Sequence, residues 1–158
     1  MLRIERRVSS GTPTDVVSLP YDQRKKSRLR AQSASGREVA ITLERGSSLR
    51  DGDLLAADSG EIIVVRAEAE QVSEASSTDA LLLMRAAYHL GNRHVPLQID
   101  HGVLRYQRDH VLDGMLRELG VVVTEGVAGF QPEGGAYAHG SGHAHDHVRR
   151  WVRVPDGR

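Results

Sequence analysis

The sequence predicts an α+β protein: a small N-terminal all-β domain, then a βαββαβ domain, then a flexible His-rich C-terminal tail. Three observations predict it. Between residues 1 and 72, short apolar runs alternate with turn signals. From Ser73 the pattern becomes strand, helix, strand, strand, helix, strand. After Gly126 the chain turns rich in glycine and histidine. The domains expected are 1–72, 73–132 and 133–158.

The totals set the bounds. A chain of 158 residues with 39% hydrophobic and 4% aromatic content builds small aliphatic cores, and two such domains favour dimerisation. Cysteine is absent, which excludes disulfides, thiolate zinc sites and thiol catalysis and fits the cytoplasm. The opening MLRIERRVSS lacks the apolar run of a signal peptide, and no stretch reaches membrane-spanning length, so no membrane partner is expected. Net charge is zero but unevenly placed: residues 21–50 hold eight Arg/Lys against three acids, and residues 51–79 hold eight acids against Arg66 alone. Without interleaved aromatics this is no nucleic-acid surface, and it reads as a solvated face or a protein-docking one.

In the first half, Val16–Leu19 is a short strand stopped by Pro20, and Gln32–Arg37 is a turn around Gly36. Val39, Ile41 and Leu43 alternate with Ala40 and Thr42, the half-buried strand pattern. Asp51-Gly52-Asp53 is a tight turn, since the rest of a calcium-loop ligand series is missing. Glu61–Val65 is a further strand.

In the second half, Ser76, Ser77 and Thr78 offer N-caps and Asp79 suits the first turn. Ala80–Leu90 is helical and almost wholly apolar, so burial on more than one side is expected. Gly91 suits the left-handed C′ position. Val95, Leu97 and Ile99 then alternate with His94, Pro96, Gln98 and Asp100, which puts His94 on the polar side of a strand. His101-Gly102 turns into a second strand, Val103–Tyr106. Asp109 caps a second helix whose stripe is Val111, Leu112, Met115, Leu116 and Leu119, with His110 nearly opposite and Gly120 at its end. Val121–Thr124 is the last strand, and Phe130 pins the segment that follows. This order is the split βαβ, ferredoxin-like plan: two helices on one face of a four-stranded antiparallel sheet.

The chemistry lies in the histidines. Four of the eight, His89, His94, His101 and His110, fall within residues 88–120. The others, His139, His143, His145 and His147, lie in the tail with Asp146. A single His94 holds no ion tightly, but a two-fold dimer makes it two facing ligands, supplemented by His110 if the second helix begins near the turn of the middle strands. Imidazole-rich sites without thiolate suit nickel, copper, zinc or iron. No G-x-S-x-G elbow, H-E-x-x-H motif or phosphate loop appears, so no enzyme is expected.

The stretches YHLGNRHVPLQ at 88–98 and RDHVLDGMLRELG at 108–120 resemble urease accessory proteins of the UreE type, nickel metallochaperones. LRDGDLLAADSGEIIVVRAEAEQV at 49–72 and the His-rich tail are similar too. The resemblance implies an N-terminal domain for partner or peptide contact and a ferredoxin-like domain that dimerises. It implies that His94 of each subunit shares Ni2+, with Zn2+ or Cu2+ able to substitute in vitro, and that His89 is structural or accessory. Some members carry His-Asp-His at the start of the second helix. Here Arg108-Asp109-His110 keeps only the second histidine. The tail then collects the ion, and the partners implied are the urease accessory GTPase and the urease apoprotein complex. The alternatives are a zinc- or copper-buffering protein, or a non-catalytic scaffold in urease assembly. Histidine ligation requires neutral imidazole, whose ordinary pKa is about 6.5. A nickel titration across pH 5–8 is therefore expected to show affinity falling below about pH 6, and a pH-independent affinity contradicts histidine ligation.

Overall fold

A computed structural model describes residues 1–134. The first sheet comprises β1 (Leu2–Val8), β2 (Asp15–Leu19), β3 (Arg28–Gln32), β4 (Glu38–Thr42), β5 (Leu54–Ala57) and β6 (Ile62–Ala67), with one short helix, α1 (Tyr21–Arg24), between β2 and β3. Its strand order is β2-β6-β5-β1-β4-β3. β1 runs parallel to β4 and β2 parallel to β6, while the other neighbours are antiparallel. Alternating residues, among them Leu2 and Ile4, Val17 and Leu19, Val39 and Ile41, Ile63 and Val65, point inward to one aliphatic core. That is the period-2 signal read from residues 39–43, extended around the whole domain.

The sheet curls into a nearly closed barrel, and its seam is polar. Val16 O accepts the Ala34 N–H across the seam at 2.8 Å. The buried Asp15 carboxylate accepts from its neighbour Val16 N–H (2.8 Å), from Ser35, and from Arg37 Nη2 (3.0 Å). Arg37 also reaches Glu61 at 2.8 Å, so one guanidinium ties the β3–β4 turn to both β2 and the start of β6. Hydrogen bonds from Ser33 and Ser35, with lesser ones from Val16 and Arg37, outweigh burial and hold Asp15 well below the usual carboxylate range.

The second sheet comprises β7 (Ala69–Ser76), β8 (Gln98–Asp100), β9 (Val103–Gln107) and β10 (Val122–Gly129), with α2 (Ala80–Asn92) and α3 (His110–Leu119). Its order is β10-β7-β9-β8, all antiparallel, which is the expected ferredoxin-like plan. The expected boundary at 72/73 falls inside β7, so Val72–Ala75 belongs to the second sheet. Ala75, Leu104 and Tyr106 from the sheet meet Ala86, Leu90, Leu112 and Leu116 from the helices. Tyr106 Oη donates to the buried Asp113 at 2.6 Å, which gives both polar groups a partner inside that core.

The opposite face of this sheet is crossed by the chain that leaves β10. Glu74, Arg105 and Gln98 form one cross-strand row. Arg105 pairs with Glu74 and donates to Gly129 O (3.0 Å), and Gln98 Oε1 accepts the Gln131 N–H (2.9 Å). Residues 129–133 thus strap the sheet from its β10 edge to its β8 edge, and Phe130 is fully buried. Among the described residues no helix is long and apolar enough to cross a membrane.

The seam generates a sign-specific expectation. A carboxylate with a lowered folded pKa stabilises above its ordinary pKa of about 4, and that stabilisation is lost as pH falls below it. Urea unfolding of Asp15→Asn is expected to show a loss of about 2 kcal/mol at pH 7, shrinking progressively below about pH 4.

Candidate metal centre

The helix start before His94 differs in detail from the expected one. Asp79 itself is the N-cap of α2, accepting from Leu81 N (2.9 Å) and Leu82 N (3.3 Å). The helix end differs more. Gly91 stays helical, α2 runs on through Asn92, and the left-handed position falls on His94, with φ 55°. It is the one non-glycine residue with positive φ among those described. His94 N–H reaches Gly91 O at 3.0 Å and Val95 N–H reaches Leu90 O at 3.4 Å. Leu90 and Leu97 are both buried and Val95 packs on the same core, so the chain must reverse within a few residues. Packing, not glycine, chooses where the helix stops. A left-handed non-glycine residue costs roughly 1–2 kcal/mol and persists where its surroundings over-determine it.

His94 is therefore not on a strand, since β8 is only Gln98–Asp100. Leu97 is buried as expected, but Ile99 is largely exposed. The His94 side chain is exposed just beyond the carbonyl end of α2, where the helix field favours a cation. His89 lies in the last turn of α2, exposed, with the Tyr88 ring edge-on to it.

His110 opens α3, exposed, beside the Asp109 cap that accepts from Val111 N (2.8 Å) and Leu112 N (3.2 Å). Its stripe is narrower than expected: Leu112 and Leu116 are buried, while Val111 is exposed. The α3 start is not near the turn of the middle strands. β9 runs antiparallel to β7, with Gln107 opposite Val72, so α3 starts at the end of the sheet where α2 stops. His94 and His110 thus share one end of the domain, but His110 sits at a helix N-terminus, where the field opposes a cation. His101 is in the exposed turn between β8 and β9. Among the described residues no three His, Cys, Asp or Glu side chains come together to hold a metal ion. His139, His143, His145 and His147 lie outside the described residues.

The same helix, α2, carries an uncovered apolar face. The expectation that α2 is buried on more than one side fails within one chain: Leu81, Met84 and Tyr88 are 51%, 62% and 67% exposed. Met84, with Leu83, Ala87, Ile99 and Leu104, lines a groove of about 530 Å³ between the first half of α2 and the turn that joins β8 to β9.

Phe130 was expected to pin the segment after the last strand and is fully buried there, but the sequence did not reveal the strap's path across the sheet or its anchor on Arg24. Glu133 N–H bonds Leu97 O at 2.8 Å, which ties the root of the tail three residues from His94. Arg24, hidden in a basic run, is fully buried against this strap. The lone Phe130 was the available signal; a basic run carries none for a buried arginine. His94→Gly removes the imidazole and relieves the left-handed backbone. It is expected to match or exceed the parent in thermal stability, by up to about 1 kcal/mol, while losing metal affinity in calorimetry.

Comparison with known proteins agrees with this architecture. Residues 3–68 match the family profile described as the UreE urease accessory protein, N-terminal domain, and residues 70–151 match that of its C-terminal domain. The chain is 51% identical to "Urease accessory protein UreE" of Alkalilimnicola ehrlichii, over 93% of this chain and 100% of that protein. It is 52% identical to the protein so described in Pseudomonas putida strain W619, over 98% of each. It is 53% identical to that of Dechloromonas aromatica, over 84% of this chain and 77% of the relative. The chain therefore belongs to the UreE urease accessory protein family, whose members are accessory proteins and not enzymes.

Proposed function

We propose that this chain is a nickel metallochaperone in urease maturation, with Ni2+ as its cargo. The family supports the part in urease maturation. The observation that carries the metal reading is His94: an exposed imidazole on a strained left-handed residue, at the carbonyl end of a helix. Strain of this kind persists where surroundings enforce it, and it clusters at functional sites.

One chain does not assemble a ligand set among its described residues, so the reading needs a second copy. The exposed Leu81, Met84 and Tyr88 face supports a homodimer through the ferredoxin-like domain. A two-fold axis there makes two His94 imidazoles available to one ion. His110 is an accessory ligand at most, because its helix end opposes a cation. The tail histidines His139, His143, His145 and His147 capture the ion, and the anchorage of Glu133 on Leu97 supports handover from there to His94. Zn2+ and Cu2+ satisfy the same nitrogen ligands. The loaded dimer then meets the accessory GTPase and urease apoprotein complex, and nitrogen ligation without thiolate suits release. Cytoplasmic action follows from those partners.

Calorimetric nickel titration with light scattering tests this on the full-length chain, on His94→Ala, and on a full-length variant whose four tail histidines are alanine. The tail variant is expected to keep one tight ion per dimer and His94→Ala to lose it. Tyr88→Glu is expected to lower the mass to a monomer and to lose that ion as well. If His94→Ala retains the tight ion, the shared site is wrong.

A further inference from the structure

We propose that Gln131 is a positioning residue that couples the N-terminal barrel to the His94 corner. This rests on the reading of His94 as a metal ligand and adds a joint that controls it.

The joint is a continuous set of hydrogen bonds. On the barrel side, Gln131 Oε1 accepts from Arg24 Nη1 at 2.8 Å and from the Asp51 N–H at 3.0 Å. Arg24 has no exposed surface, and it also donates to Leu19 O (3.0 Å) and to Phe130 O. Asp51 Oδ1 in turn accepts the Ala67 N–H at the end of β6 (2.8 Å). On the other side, the Gln131 N–H meets Gln98 Oε1 (2.9 Å), and two residues on Glu133 N–H meets Leu97 O (2.8 Å). Leu97 and Gln98 follow His94 by three and four residues.

The segment between His94 and β8 belongs to no helix or strand. What holds it is Val95 N–H on Leu90 O, the burial of Leu97, and this strap. A left-handed histidine stays so only while such constraints hold, and a ligand site tolerates only about 0.5 Å of drift. Among the described residues, Gln131 is the one that bonds the barrel through its side chain and the His94 corner through its backbone. A partner that shifts the barrel against the sheet therefore pulls on the corner that presents the imidazole and on the root of the tail.

The test uses full-length protein whose four tail histidines are alanine, so that nickel ion alone reports the His94 site. Gln131→Ala is expected to weaken nickel binding about tenfold at 25 °C while the dimer mass is kept. Gln131→Glu retains the acceptor for Arg24 and Asp51 and is expected to restore affinity to within about twofold of the parent. Gln98→Ala removes the other end of the joint and is expected to weaken binding in the same direction, which serves if Gln131→Ala fails to fold. Asp15→Asn, a destabilising change at the barrel seam, is expected to leave affinity unchanged. Normal affinity in both Gln131→Ala and Gln98→Ala overturns the proposal. So does equal weakening in Asp15→Asn, or failure of Gln131→Glu to rescue. Unchanged binding in His94→Ala overturns the ligand reading itself and the proposal with it, whereas loss there with normal binding in the joint variants overturns the proposal alone.

Discussion

The buried guanidinium of Arg24 is the contact on which the arrangement of the two domains depends. It meets three acceptors, Leu19 O from the barrel and Phe130 O and Gln131 Oε1 from the strap, and it lies 5.8 Å from the Tyr21 ring centroid. Burial pulls its pKa down, and the fields of Glu70 and Asp51 act against that. A lysine offers a single ammonium, whereas the planar fork of arginine satisfies acceptors from both domains at once. An unsatisfied buried cation costs several kcal/mol, so the contact forms as a set or not at all. The four-residue helix α1 is too short to stand alone, and it is held by this contact and by Tyr21 packed edge-on against Phe130 at 5.4 Å.

That constraint gathers the functional parts at one end of the second sheet. The strap, the start of β8, the stop of α2 and the start of α3 all lie where β7 leaves the barrel. The strap crosses the helix-free face, while the outer side of α2 exposes Leu81, Met84 and Tyr88. Among the described residues no three ligand side chains come together in one chain, and the exposed His94 imidazole lies at this end of the sheet.

Much of this was legible from residue order. Asp109 caps α3 and Gly120 ends it with φ 98°, because both jobs are local and depend on a few neighbouring backbone groups. The alternation at 39–43 marked a strand because burial on one face imposes period two. The βαββαβ order alone implied a β10-β7-β9-β8 sheet. The helix stop was misplaced for an equally physical reason: local propensity favours Gly91, but the burial of Leu90 and Leu97 carries the left-handed residue to His94. Strand β1 and strand β3 were missed because arginines at Arg3, Arg6, Arg7, Arg28 and Arg30 mask their inward residues.

The sequence by itself determined the elements of the second domain and their order, the family and the histidines worth watching, since these follow from spacing and residue type. Only the tertiary structure decided that His94 is a left-handed corner, that Arg24 is a buried joint and that one face of α2 is bare. Each of those depends on which distant groups compete for the same interior, and no local pattern records that competition.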